Sequence, residues 1–155
     1  MLARLVANTT TFGLLLMLLV TLSIVWTDVY QRQISNVQSL AVTIMALALT
    51  GLQSFSLWPW LGAVATGCLF YQLRLLAGGD IKLILAYLTG IPVSLWYELS
   101  LVMAVLGGLQ AVAWLLADHV QGTSATKERG LPYGVAIGTT GMCGIALSVL
   151  GATPL

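Results

Sequence analysis

The chain has 155 residues, 59% hydrophobic and only 7% charged, with a mean hydropathy of +0.97. This lies outside the range of soluble globular domains, where about a quarter of residues are charged, and it points to an integral membrane protein. The net charge of +1 comes from scattered residues. With no polybasic run, neither nucleic-acid binding nor a lipid-reading basic patch is suggested, and the expected partners are the lipid bilayer and proteins in or at it.

Apolar runs near the length of a membrane crossing fall at about 9–27, 37–57, 58–76, 80–91, 95–117 and 131–151. The first follows Arg4 like the core of a signal peptide but ends in Val25, Trp26 and Thr27. It lacks a small-x-small cleavage site, so it reads as a retained span. The interruptions are "DVYQRQISN", a Trp58-Pro59-Trp60 turn, "AGGD", Gly90 to Pro92, and "DHVQGTSATKERG". The expected fold is therefore all-α: a polytopic helix bundle of about six transmembrane helices forming one membrane-embedded domain over 1–155. The first, third and fifth connections carry Arg32, Arg74, Lys82, Lys127 and Arg129, against Arg4 alone on the other side. Cytoplasmic loops are enriched in such residues, which predicts an outward-facing N-terminus and puts Trp58, Trp60 and Trp96 at the outer interface.

Asp28 and Asp80 then fall on the cytoplasmic side. The fourth run, from Asp80 to Ile91, rises only about 18 Å as a helix, short of the hydrocarbon thickness. Either it continues through Gly90 and Pro92, or Asp80 lies below the membrane surface in a water-filled or protein-lined recess, the alternative favoured here. Of the other acidic residues, Asp118 and Glu128 belong to a polar loop and Glu98 to the start of a helix beside Trp96 and Tyr97, where solvated or interfacial roles are the default.

Two carboxylates that converge cannot both ionise cheaply, so Asp28 and Asp80 would share a proton. One can then act as general base towards a water while the other supplies a proton to the carbonyl oxygen and later to the leaving amine. Gly78 and Gly79 would permit unusual backbone angles and close approach of a substrate strand. The simpler alternative for Asp80 is a helix N-cap after a glycine turn.

Other chemistries are poorly served. His119 is the only histidine and lies in the expected loop, so neither a His-Glu-x-x-His zinc site nor a serine–histidine dyad is available. Cys68 and Cys143 sit in apolar runs and form no CxxC pair or disulfide framework. No metal or cofactor is expected. Pro132 suits a first helical turn. Gly134 and Gly138 make a small-residue face for close helix packing, which either only packs or also lines a cleft beside the two aspartates. Gly107 and Gly108 are read as packing residues.

At these positions the chain resembles the type IV prepilin peptidases, specifically the short kind serving Flp-type pili. "DVYQRQISN" resembles the family's Asp-x-x-x-Arg-x-Ile-Pro-Asn stretch through Asp28, Arg32, Ile34 and Asn36. "AGGDIKL" resembles its Gly-x-Gly-Asp-x-Lys stretch through Gly79, Asp80 and Lys82, and "PYGVAIG" its Pro-Tyr-Gly-x-Ala segment through Pro132, Tyr133, Gly134 and Ala136. Ser35 stands where the family usually has proline, which is expected to loosen the turn after the first helix. Ala77 replaces the first glycine of Gly-x-Gly-Asp, a change expected to leave activity intact.

The resemblance implies an aspartic endopeptidase of the bacterial inner membrane. It would remove the basic leader of prepilins and pseudopilins after a glycine, at the cytoplasmic face. Asp28 and Asp80 would be the catalytic pair, with Gly78, Gly79, Lys82, Arg32, Asn36, Pro132, Tyr133 and Gly134 as substrate-binding or supporting residues. Longer relatives carry a four-cysteine zinc segment and also methylate the new N-terminus; this chain lacks those cysteines, and methylation is not carried over. The competing class is a small ion- or proton-coupled transporter or a non-enzymatic pilus-assembly subunit. Transport usually brings internal repeats, and the two halves show no clear one.

Overall fold

The computed structural model describes residues 2–122 and 131–151, so the expectations for Lys127, Glu128 and Arg129 lie outside the described residues. The apolar runs become six α-helices: α1 (Leu2–Gln31), α2 (Asn36–Thr50), α3 (Leu57–Gln72), α4 (Gly78–Leu88), α5 (Trp96–Gln121) and α6 (Gly134–Val149). Short 3-10 turns at Leu52–Ser54 and Val93–Leu95 precede α3 and α5. The all-α class holds. Among the described residues, two stretches are long and apolar enough to cross a membrane, Asn8–Gln31 with 24 residues and Val93–Gln121 with 29.

Local chemistry sets the helix ends, in several places away from the expected ones. α1 runs on through Asp28 and stops where Arg32 turns left-handed at φ 54, its N–H donating to the Asp28 carbonyl at 3.0 Å. The next turn is not loosened by the serine. Ser35 caps α2, accepting from the Gln38 N–H at 3.1 Å while its own N–H donates to Gln38 Oε1 at 3.0 Å. This reciprocal box satisfies two amides that a helix start otherwise leaves bare.

The Trp58-Pro59-Trp60 stretch is not a turn but the opening of α3. Proline is tolerated there because first-turn N–H groups have no helical partner. The actual break lies at Gly51, at φ 75, and the 3-10 turn that follows. α3 closes with the Arg74 N–H on the Tyr71 carbonyl and the Leu75 N–H on the Phe70 carbonyl. This is a Schellman arrangement with arginine, at φ 57, where glycine is usual.

α4 does not continue through Gly90 and Pro92. Its 11 residues span about 16 Å. Its cap position is held by Ala77, so Asp80 is the third residue of the helix rather than its cap. Asp118 and His119 belong to the last turn of α5, not to a loop. Pro132 precedes α6 instead of starting it, and is fully buried.

α6 is the central post, packed against α1, α2, α4 and α5. Glycines let its neighbours come close. Gly138 faces Thr21 and Val25 of α1, Gly141 lies under the Tyr87 ring of α4, and Gly144 meets Ile91 and Leu99. The expected packing role of the Gly134–Gly138 face is thus realised against α1. Around the post lies a core of Met17, Ile24, Val42, Leu83, Tyr87, Ile137 and Ile145. One polar link crosses it, between the Thr21 and Tyr87 hydroxyls at 2.7 Å. The outer faces of α1 and α5 carry exposed side chains such as Leu15, Leu19, Leu22, Val105, Leu109 and Leu116, and Cys68 and Cys143 are also on the surface.

Candidate functional site

Where α1 ends and α4 begins, a recess of about 1240 Å³ opens, lined by both Asp28 and Asp80. Each aspartate is nearly buried, at 6% and 5% exposure. Asp28 is close enough for its charge to bear on Asp80, and Arg32 supplies a nearby positive charge to Asp28. The protein-lined recess expected for Asp80 is present.

The two carboxylates are held by helix beginnings. Asp28 Oδ2 accepts the Gly134 N–H at 2.7 Å, placing it at the N-terminus of α6, where unpaired amides and the helix dipole favour an anion. Asp80 lies in the first turn of α4, three residues after Ala77 at the cap position. Asp28 is thereby oriented by a main-chain donor, and Asp80 by its place in the helix.

The glycines before Asp80 do not supply unusual backbone angles. Gly78 and Gly79 are helical and neither has positive φ; Gly79 instead gives room, since a β-carbon there would sit 3.3 Å from Ile34 Cβ. Gly134 has a tighter constraint. A β-carbon at 134 would lie 2.7 Å from Asp28 Oδ2 and 2.9 Å from Asp28 Cγ.

Among the other anticipated residues, Arg32, Gly79 and Tyr133 line the recess with the aspartates. Pro132 leads into α6, whose first residue, Gly134, delivers its amide to Asp28. Lys82 and Asn36 do not line the recess. They bond to each other, Nζ to Oδ1 at 3.0 Å, and tie the start of α4 to the start of α2. A β-carbon at Gly78 would sit 3.7 Å from the Tyr71 ring, an ordinary contact. Trp60 and Trp96 also act as ties, their indole N–H groups donating to the Leu85 and Ile91 carbonyls. Trp58 is left exposed.

Several site residues escaped sequence reasoning. Gln31, Gln33, Gln38, Tyr71, Gln72 and Arg74 contribute to the polar wall. Gln110 of α5 donates from Nε2 to the Pro132 carbonyl and so steadies the segment that carries Gly134. A lone amide side chain deep in an apolar run was the available signal for Gln110. Gln38 was readable as the far end of a Ser-x-x-Gln box. Arg32 stacks over Trp114, 5.2 Å from the ring centroid, and its Nη1 is buried without a partner among the described residues.

Among the described residues, no three His, Cys, Asp or Glu side chains converge as metal ligands would. The arrangement present is a pair of carboxylates in a polar, partly enclosed recess large enough for an extended peptide. Comparison with models of protein families, with curated proteins and with solved structures gives no match to this chain.

Proposed function

We propose that the chain is a membrane-embedded aspartic endopeptidase of the prepilin-peptidase type, with Asp28 and Asp80 as its catalytic pair. The observation that carries this reading is the meeting of those two buried carboxylates in one recess. A membrane setting is supported by α5, whose most apolar window is only 6% buried inside the protein. The core helix of a soluble protein would be mostly covered, and exposed apolar patches of this extent mark a protein or lipid contact. In this reading six helices lie in the bacterial inner membrane, the N-terminus faces out and the recess opens to the cytoplasm.

The chemistry follows from a shared proton. The ionised member takes a proton from water as it attacks the scissile carbonyl carbon; the protonated member donates to the carbonyl oxygen. The resulting gem-diol collapses as the C–N bond breaks: the carboxyl that received the water's proton passes it to the leaving amine, and one gem-diol hydroxyl returns its proton to the other carboxylate, which restores the shared proton. The Gly134 amide holds the Asp28 carboxylate in place throughout. The substrate class is the prepilins and pseudopilins, cut after a glycine that follows a basic leader.

Leader cleavage of a co-expressed Flp-type prepilin tests this, with wild type, Asp28→Asn and Asp80→Asn at matched membrane levels. Cleavage by wild type and its loss in both variants is expected. Cleavage that persists in either variant removes that aspartate from catalysis and returns the chain to a transport or assembly role.

A further inference from the structure

We infer that the apolar groove between α3 and α5 receives the apolar helix of the peptide whose scissile bond enters the Asp28–Asp80 recess, an inference that rests on the peptidase reading above. α3 packs on α4, and α5 packs on α6. The space between α3 and α5 stays open as a groove of about 500 Å³. Its floor includes Ile81, Ile84, Leu85 and Leu88 of α4, spaced as one continuous helical stripe. Such a stripe is what a second helix packs on.

Two observations favour a peptide helix over a lipid chain. The groove leads to the recess: Leu76 lines both cavities, and Ile81 of the groove floor directly follows Asp80. A helix laid on α4 therefore has its end at the carboxylates, where the chain must become extended to be cut. The second observation is Thr140, a groove residue only 5% exposed. Its hydroxyl has no hydrogen-bond partner among the described residues, whereas neighbouring Thr139 bonds back to the Val135 carbonyl at 2.7 Å. Rotation about one side-chain bond brings a threonine hydroxyl to a new partner. A hydrocarbon tail offers none; a peptide helix with small or polar residues does.

The test uses the full-length protein in nanodiscs and two substrates: a Flp-type prepilin with its apolar helix, and a soluble peptide of leader and cleavage junction alone. Ala63→Trp and Ser100→Trp fill the groove from its two walls. Each is expected to raise KM for the prepilin about tenfold with little change in kcat, the signature of lost ground-state binding, and to leave the short peptide's hydrolysis unchanged. Thr140→Val is expected to raise the prepilin KM by a smaller factor. A photoreactive phenylalanine analogue at Ser100 in the Asp80→Asn background should capture the prepilin; the same probe at Leu19, on the outer face of α1, should not.

Unchanged prepilin KM in all three variants, or capture of phospholipid instead of prepilin at Ser100, overturns the inference and makes the groove a lipid site. Should a tryptophan variant lose both activities through misfolding, the capture experiment decides alone. Wild type that cuts both substrates while the groove variants behave identically sinks the groove assignment only. Wild type that cuts neither sinks the peptidase reading and the groove assignment with it.

Discussion

Position 134 has no room for a side chain, because a β-carbon there would press within 2.7 Å of the Asp28 carboxylate. Gly134→Ala must therefore push Asp28 off the amide that holds it. Loss of a hydrogen bond to a charged group amounts to about 1.5–3 kcal/mol, or roughly ten- to a hundredfold if it falls on the transition state. The expected outcome is a cleavage rate lowered by that factor in a protein that still has wild-type helix content by circular dichroism. A wild-type rate would mean that the Gly134 contact does not position the reacting carboxylate. This constraint was half visible beforehand. The glycine stood out as a small residue in an apolar run, but a contact to a side chain on another helix is invisible until the helices are packed.

At the scale of elements, two helix ends make opposite predictions. The capping box of Ser35 and Gln38 fixes the start of α2 beside the recess, so Ser35→Ala should cost about 0.5–2 kcal/mol. Arg74 closes α3 in a left-handed conformation at φ 57 that penalises any side chain with a β-carbon. Arg74→Gly should therefore stabilise by up to about 1 kcal/mol, the strain relieved less the freedom added to the unfolded chain. Reversible unfolding in mixed micelles reads both changes, and a destabilised Arg74→Gly would show that the arginine side chain makes a contact outweighing its strain.

These ends also show what local sequence carries. The Ser-x-x-Gln pattern of residues 35–38 encodes its own cap and could be read directly. An arginine at the end of α3 gives no such signal, because the left-handed turn there is imposed by how Leu75 and Phe70 close the helix. The carboxylates themselves were legible because charge is rare in this chain. Gln31, Gln72 and Arg74 around them were not: they come from the ends of separate helices, and only the packing of α1, α3 and α4 brings those ends to one wall.

For the molecule as a whole, the apolar periodicity was enough to give six helices but not their unequal reach. α2 and α6, with 15 and 16 residues, rise about 22 and 24 Å, less than the roughly 30 Å of hydrocarbon. In the six-crossing reading, a bilayer around them would thin, or their flanks would complete the crossing. The six-crossing arrangement still predicts opposite sides for the connections on either side of α2. With Cys68 and Cys143 replaced by serine, a cysteine at exposed Gln53 should react with an impermeant maleimide in intact cells. One at exposed Gln33 should react only after the membrane is opened. Labelling of both from outside would mean that α2 does not cross.

The hydrogen bond from Gly134 to Asp28 joins positions 106 apart, close to the two extremes of the described chain. During translation α1 leaves the ribosome well before α6. A nascent or prematurely terminated chain thus holds both aspartates without the amide that orients one of them. In the peptidase reading, such fragments are inert: the cell is not exposed to a half-made protease, and proteolysis begins only when α6 has been inserted.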